Sequence, residues 1–136
     1  MKIKVRGIPS QGVQISKSVE PSEIGLTDDD LTWLIPLEIT AKVERIRDTV
    51  IAHVEVRTRL SFCCSRCLED VERDTCENFK FDYNVAKDEG FIDIGEDIRQ
   101  EIILNVPPRI LCRDDCKGIC LHCGANLNEE ECQCGK

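Results

Sequence analysis

The chain has 136 residues, 41% of them hydrophobic and 32% charged, with a formal net charge of -8. That size and apolar content suit one folded domain with a small appendage and argue for a folded protein rather than a disordered one. No run approaches the ~18 apolar residues of a membrane span, and the acidic balance opposes non-specific attachment to nucleic acid, which depends on neutralising phosphates.

Residues 1–36 alternate only weakly, in "MKIKVRGI" and "GVQISKSV", and "EPSEIGLTDDD" reads as a loop. The opening has basic residues but neither the apolar stretch nor the cleavage site of a secretion signal, so a cytoplasmic location is expected. From Leu37 the pattern sharpens. In "LEITAKVE" the residues Leu37, Ile39, Ala41 and Val43 share a side. In "VIAHVEVRTRLSF" Val50, Ala52, Val54, Val56, Thr58, Leu60 and Phe62 face one way, and His53, Glu55, Arg57, Arg59 and Ser61 the other. Period two marks strands with one buried face. A third strand through "VERDTCENFKFDYNV" puts Phe79, Phe81, Tyr83 and Val85 on one face, and short connections predict an antiparallel meander.

The period then changes. Ile94, Ile98 and Ile102 recur every fourth residue, Asp93 with Glu96 resembles a capping box, and Pro107 with Pro108 ends the run. This predicts one helix of about three turns covering the apolar sheet face. The expected fold is α+β: an antiparallel meander, a covering helix and a zinc-ribbon-like tail. Residues 1–108 form the domain, with a cysteine knuckle at 64–67, and residues 109–136 form the ribbon packed on it.

Ten cysteines fall in two groups, and residues 1–62 contain none. Reduced cytoplasmic thiols in clusters point to metal before disulfides, although five bridges are a formal alternative. Cys120, Cys123, Cys132 and Cys134 read C-x2-C-x8-C-x-C, two close pairs that each supply two corners of a tetrahedron, with Gly124 and Gly135 allowing the tight turns. Cys64 and Cys67, at the hairpin tip, would join Cys112 and Cys116, just after the helix, in a second site. A rival arrangement gives the tail one site that includes Cys116 and leaves Cys64 and Cys67 as a redox or structural pair. The expected cofactor is therefore zinc, one or two ions per chain. Cys63 and Cys76 are surplus, and Cys63 points away from the core.

Apparent catalytic signatures fail. "HVE" followed by "CSRC" imitates a zinc deaminase, but the interval is short and His53 lies on a strand. Cys64 and Cys67 lack the helix a thioredoxin-like site needs. His122 sits between ligands, where a solvent-facing position is expected. A four-thiolate zinc keeps no open position for water, so no enzyme activity and no small-molecule substrate are expected. Arg57 and Arg59 on the outward face, Arg66 on the knuckle and Arg73 on the return strand form a candidate RNA-phosphate patch. The competing reading is a solvated strand face with Glu55 and Glu72 as partners.

"CSRCLEDV", "IDIGEDIRQEIILNVPP" and "LCRDDCKGICLHCGANLNEEECQC", in that order, resemble the YceD-like large ribosomal RNA subunit accumulation proteins. The likeness runs from about Leu37 to Cys134. It implies a bacterial cytoplasmic or plastid protein that supports synthesis or processing of 23S ribosomal RNA without enzymatic activity, and the opening residues favour the bacterial case. Cys63 and Cys76 depart from the family pattern, and not all members carry the terminal ribbon, so the knuckle at Cys64 and Cys67 is expected to carry the shared task. The expected partner is large-subunit ribosomal RNA or a pre-ribosomal particle. Alternatives are an acidic module for a basic ribosomal protein, using Asp28 to Asp30 and Glu129 to Glu131, and a thiol redox protein.

Overall fold

The alternation over residues 37–62 becomes two long strands, β4 (Leu37–Ile46) and β5 (Thr49–Cys63), paired antiparallel from Glu38↔Arg57 to Ile46↔Thr49. A computed structural model describes residues 1–27, 31–85, 90–106 and 109–135. In chain order the remaining elements are β1 (Lys2–Lys4), β2 (Val13–Val19), β3 (Leu31–Trp33), β6 (Asp70–Asn84), β7 (Phe91–Asp93) and helix α1 (Ile94–Asn105).

The predicted meander is present as β4, β5 and β6, but the sheet has five strands. Strand β2 pairs along β4, and β3 pairs with the upper end of β5. Strands β3 and β4 lie on the same edge of β5 and amount to one interrupted strand. Pro36 in the gap has no N–H to give. Leu34 N still donates to Arg59 O (2.9 Å), and the buried Thr58 hydroxyl donates to Ile35 O (3.1 Å). A small second sheet joins β1 to β7.

The core lies where the alternation placed it. Leu37, Ile39, Ala41, Val43, Val50, Ala52, Val54 and Val56 are buried, and they pack with Ile94, Ile98 and Ile102 of α1. Each valine, leucine or isoleucine among them contributes about 1.5–3 kcal/mol of transfer free energy, and the alanines less. Asp93 caps the helix, its Oδ1 accepting from Gly95 N (3.0 Å) and from the Met1 ammonium (3.1 Å). Only half of the expected capping box forms, because Glu96 turns to Arg99 (3.1 Å) and Gln100 (3.3 Å) instead. The helix ends at Asn105, and Pro107 and Pro108 lie outside the described residues. Tyr83 OH donates to Asp97 Oδ2, fastening β6 to the helix.

Lengths decide what is left uncovered. The 15 residues of β5 extend about 50 Å at ~3.3 Å each, whereas the 12 of α1 extend about 18 Å. The helix therefore covers one part of the apolar face, and the far end of the β5–β6 hairpin carries the cysteines.

Candidate metal centres

Strands β5 and β6 stay in register from Thr49↔Asn84 to Cys63↔Asp70, which leaves residues 64–69 as the connecting loop. Cys64 N donates to Glu69 O (2.9 Å) and Leu68 N to Cys64 O (3.0 Å). This tight turn forces Leu68 to φ 62°, a left-handed conformation that non-glycine residues rarely adopt. The chain after α1 returns here, where Ser65 N donates to Ile110 O (2.9 Å) and Cys112 N to Cys64 Sγ (3.3 Å). Four thiols converge as a result. Cys64 Sγ lies 3.7 Å from Cys116 Sγ, and Cys67 Sγ lies 3.7 Å from Cys112 Sγ. Cys64, Cys67 and Cys116 are buried and form a small core with Leu111, Cys112 and Ile119.

The outer group is local. Gly124, at φ 76°, lets its N donate to Cys120 O (2.9 Å), and Cys120 N donates to Ala125 O (2.9 Å). Cys132 Sγ lies 3.1 Å from Cys120 Sγ and 3.8 Å from Cys123 Sγ. Cys123 and Cys134 are exposed. Gly135, expected to allow the turn after the second pair, does so without a positive φ. Gly118, between the two centres in sequence, is left-handed (φ 81°), and an added Cβ there would stand 3.3 Å from Arg66 O.

Within each group the four ligand atoms lie within 4.8 Å of one another. A tetrahedral metal with ~2.3 Å bonds to sulfur has edges of about 3.8 Å, whereas a disulfide needs ~2.05 Å. Three of the four short separations match the tetrahedral edge, and all ten cysteines are free thiols. The donor set and spacing of both groups thus fit a metal ion. The grouping is the two-site one, Cys64 with Cys67, Cys112 and Cys116, and the rival use of Cys116 in the tail is not what the fold produces. His122 is exposed and offers only its backbone N–H, to Cys120 Sγ (3.4 Å).

The electrostatics agree. Burial pushes the Cys64 thiol up, but the N–H groups of Cys67, Cys112 and Arg66 outweigh it and bring the thiol down to about 6. Cys120 is likewise lowered to about 6, chiefly by the Cys123 N–H. Their neighbours move oppositely: burial pushes Cys112 up to about 12, and the Cys123 thiol helps push Cys134 up to about 12. The Asn128 side chain also lowers Cys116, so the inner group favours two thiolates and the outer favours Cys120, while Cys67, Cys112, Cys132 and Cys134 are raised and resist joining them. A dication removes that conflict.

Asn128, which the sequence reading missed, and Arg66, which it placed in the RNA patch, hold the inner centre. Asn128 Nδ2 donates to Cys116 Sγ (3.3 Å) while its Oδ1 accepts from Lys117 N (2.9 Å), binding the outer loop to an inner sulfur. Arg66 Nη1 donates to Cys116 O (2.9 Å). An arginine inside a C-x2-C knuckle and an asparagine just after the second one were the only signals available.

The candidate arginine patch separates. Arg57 and Arg59 share the outward face, Arg57 paired with Glu55 (2.8 Å) and Arg59 with Glu72 (3.0 Å). The Glu55 hydrogen bond and charge hold the Arg57 guanidinium above its ordinary value. Register puts Arg73 opposite Leu60, hence on the apolar face, where its guanidinium lies 5.4 Å from the centre of the Phe62 ring and Nη2 donates to Leu111 O and Cys112 O (both 3.3 Å). Arg73 and Arg66 therefore serve the cysteine loops rather than a common patch with Arg57 and Arg59. Cys63 and Cys76 are exposed and outside both centres. Glu129 to Glu131 are exposed; Asp28 to Asp30 lie outside the described residues. Among the described residues no helix is long and apolar enough to cross a membrane.

Residues 80–136 match the sequence model of the family described as "Large ribosomal RNA subunit accumulation protein YceD". "Large ribosomal RNA subunit accumulation protein YCED homolog 1, chloroplastic" of Arabidopsis thaliana is 47% identical over 45 residues, covering 33% of this chain and 14% of that protein. Its Zea mays namesake is 38% identical over 69 residues, covering 50% and 23%. "Uncharacterized protein YlbN" of Bacillus subtilis is 25% identical over 121 residues, covering 79% and 70%. The chain thus spans less than a quarter of the length of either plant relative. No solved structure matches it. Over residues 80–136 the chain is thus similar to the YceD-like family, whose name both plant relatives also carry.

Proposed function

We propose that this protein is a non-enzymatic, cytoplasmic bacterial factor that supports accumulation of large-subunit ribosomal RNA by binding the RNA or an early assembly intermediate. The observation that carries this reading is the match of residues 80–136 to a family named for large-subunit ribosomal RNA accumulation. Each Cys₄ group holds one zinc ion, the metal whose tetrahedral thiolate preference suits the 3.7–3.8 Å sulfur separations. The ion's chemistry here is structural: it neutralises thiolates and clamps loops. Four thiolates leave no position for water, so the centres do not hydrolyse anything. The inner zinc fixes the hairpin against the returning tail and thereby fixes the neighbouring Arg59. Of the candidate arginines, Arg57 and Arg59 remain for phosphate contact, with their guanidinium groups largely exposed on the strand face.

The test is ultraviolet crosslinking of tagged protein in its native cells, reading RNA and protein from one purification. Enrichment of large-subunit ribosomal RNA that is lost in an Arg57→Glu/Arg59→Glu variant is expected. Recovery of one ribosomal protein without crosslinked RNA would favour instead the acidic-module reading, which the exposed run Glu129 to Glu131 supports.

A further inference from the structure

Strand β6 is fifteen residues long, yet none of them is buried. One side pairs with β5 along its whole length, and among the described residues nothing pairs with the other. A free edge of this length presents a row of unpaired N–H and C=O groups, a template for a further strand. Its chemistry is uneven. Asp70, Glu72, Asp74, Glu77 and Asp82 outnumber Arg73 and Lys80, and the Asp74 and Asp82 side chains are 85% and 59% exposed. On the core-facing side Phe79, Phe81 and Tyr83 are only half-buried, their rings in a tilted series 6.2 and 6.4 Å apart. Beside Thr75 and Glu77, where α1 ends, a cavity of about 370 Å³ is lined by Trp33, Leu60, Phe62 and Ile102. The indole N–H of Trp33 is buried there without an acceptor.

We propose that β6 is a docking edge for an extended segment of a basic protein partner, in which lysine or arginine alternates with apolar residues. This goes beyond the RNA reading and does not rest on it. An added strand satisfies the free backbone edge. Its basic residues fall on the outward face beside Asp74 and Asp82, and its apolar residues extend the Phe79–Phe81–Tyr83 face and enter the cavity. The same carboxylates disfavour a second copy of this chain and any acidic segment, because like charges directly across strands repel.

The test uses the full chain, purified without chelator, and a short synthetic peptide in which lysine and valine alternate, with a glutamate–valine peptide as control. Amide hydrogen exchange is followed residue by residue. The lysine peptide should slow exchange at alternate amides within Asp70–Asn84 by about tenfold or more, and the control should not. Asp74→Asn/Asp82→Asn, which removes only exposed surface pairs with Arg59 and Lys80 (both 3.8 Å) and is expected to melt like the parent, should weaken peptide binding severalfold. Unchanged exchange in β6, protection along β2 instead, or equal binding of the glutamate peptide each overturns the proposal. So does self-association of the free chain that itself protects β6, since the edge would then belong to a second copy.

Discussion

Replacing Cys64 by Ser removes one ligand of the inner centre and tests whether that centre works as a long-range clamp. The Cys67–Cys112 contact joins residues 45 apart, whereas the outer Cys120–Cys132 contact joins residues 12 apart. Treated as crosslinks, such closures restrict the unfolded chain by about 4 and about 3 kcal/mol. For a chain of this length about 4 kcal/mol corresponds to a melting temperature lower by roughly 15 °C. The large hydrophobic cluster contains none of the cysteines, so the sheet should survive. Cys64→Ser should therefore keep its strand circular dichroism at low temperature, bind one metal fewer, and expose the amides of residues 110–119 to exchange. A variant that keeps full metal content and melts within ~2 °C of the parent refutes the clamp. Collapse of the sheet at low temperature refutes the separation of clamp and core.

Chelator should strip the outer centre first, because Cys123 and Cys134 are exposed whereas Cys64, Cys67 and Cys116 are buried; thiol labelling read by mass should modify Cys63 and Cys76 at once, then the outer four, then the inner four. Ile98→Ala, at a side chain with no exposure, should cost about 2–5 kcal/mol in urea unfolding while leaving the metal content unchanged. Burial raises the Asp93 carboxyl, but the Met1 ammonium and Gly95 N–H outweigh it and hold its pKa below the ordinary value. Its stabilisation is thus complete above the unfolded value of ~3.9 and is lost as pH falls through the lower folded one. Asp93→Asn, which still caps a helix, should flatten the stability profile below about pH 4 by roughly a few tenths of a kcal/mol, since the carboxylate is 47% exposed and screened; an unchanged profile would dismiss the pairing.

Strands β4 and β5 were legible because one face of each is buried and the other wet, which writes period two into Leu37–Val43 and Val50–Phe62. Helix α1 was legible for the same reason at its own period. Strand β2 was not, since an edge strand with Gln14, Ser16, Lys17 and Ser18 exposed has little burial to enforce alternation. Nor could local pattern reveal that Lys2–Lys4 pairs with Phe91–Asp93 across almost the whole chain. The close cysteine pairs were readable from spacing because pairs on tight turns are a local device, whereas the meeting of Cys64 and Cys67 with Cys112 and Cys116 joins residues 45 or more apart and left a rival grouping open. The face of Arg73 was legible too, because period two along β6 sets it on the side of Phe79, Phe81 and Tyr83, but its contacts with Leu111 and Cys112 depend on where the tail returns. Asn128 contributes through a turn-specific geometry that its residue type alone does not announce.

The most direct measurement is the metal count per chain, by native mass spectrometry with elemental analysis of the same chelator-free preparation. Two zinc ions per chain, falling to one in Cys64→Ser and to one in Cys123→Ser, is the predicted result. A reproducible single ion in the parent chain, or two ions both lost on either substitution, contradicts two independent centres.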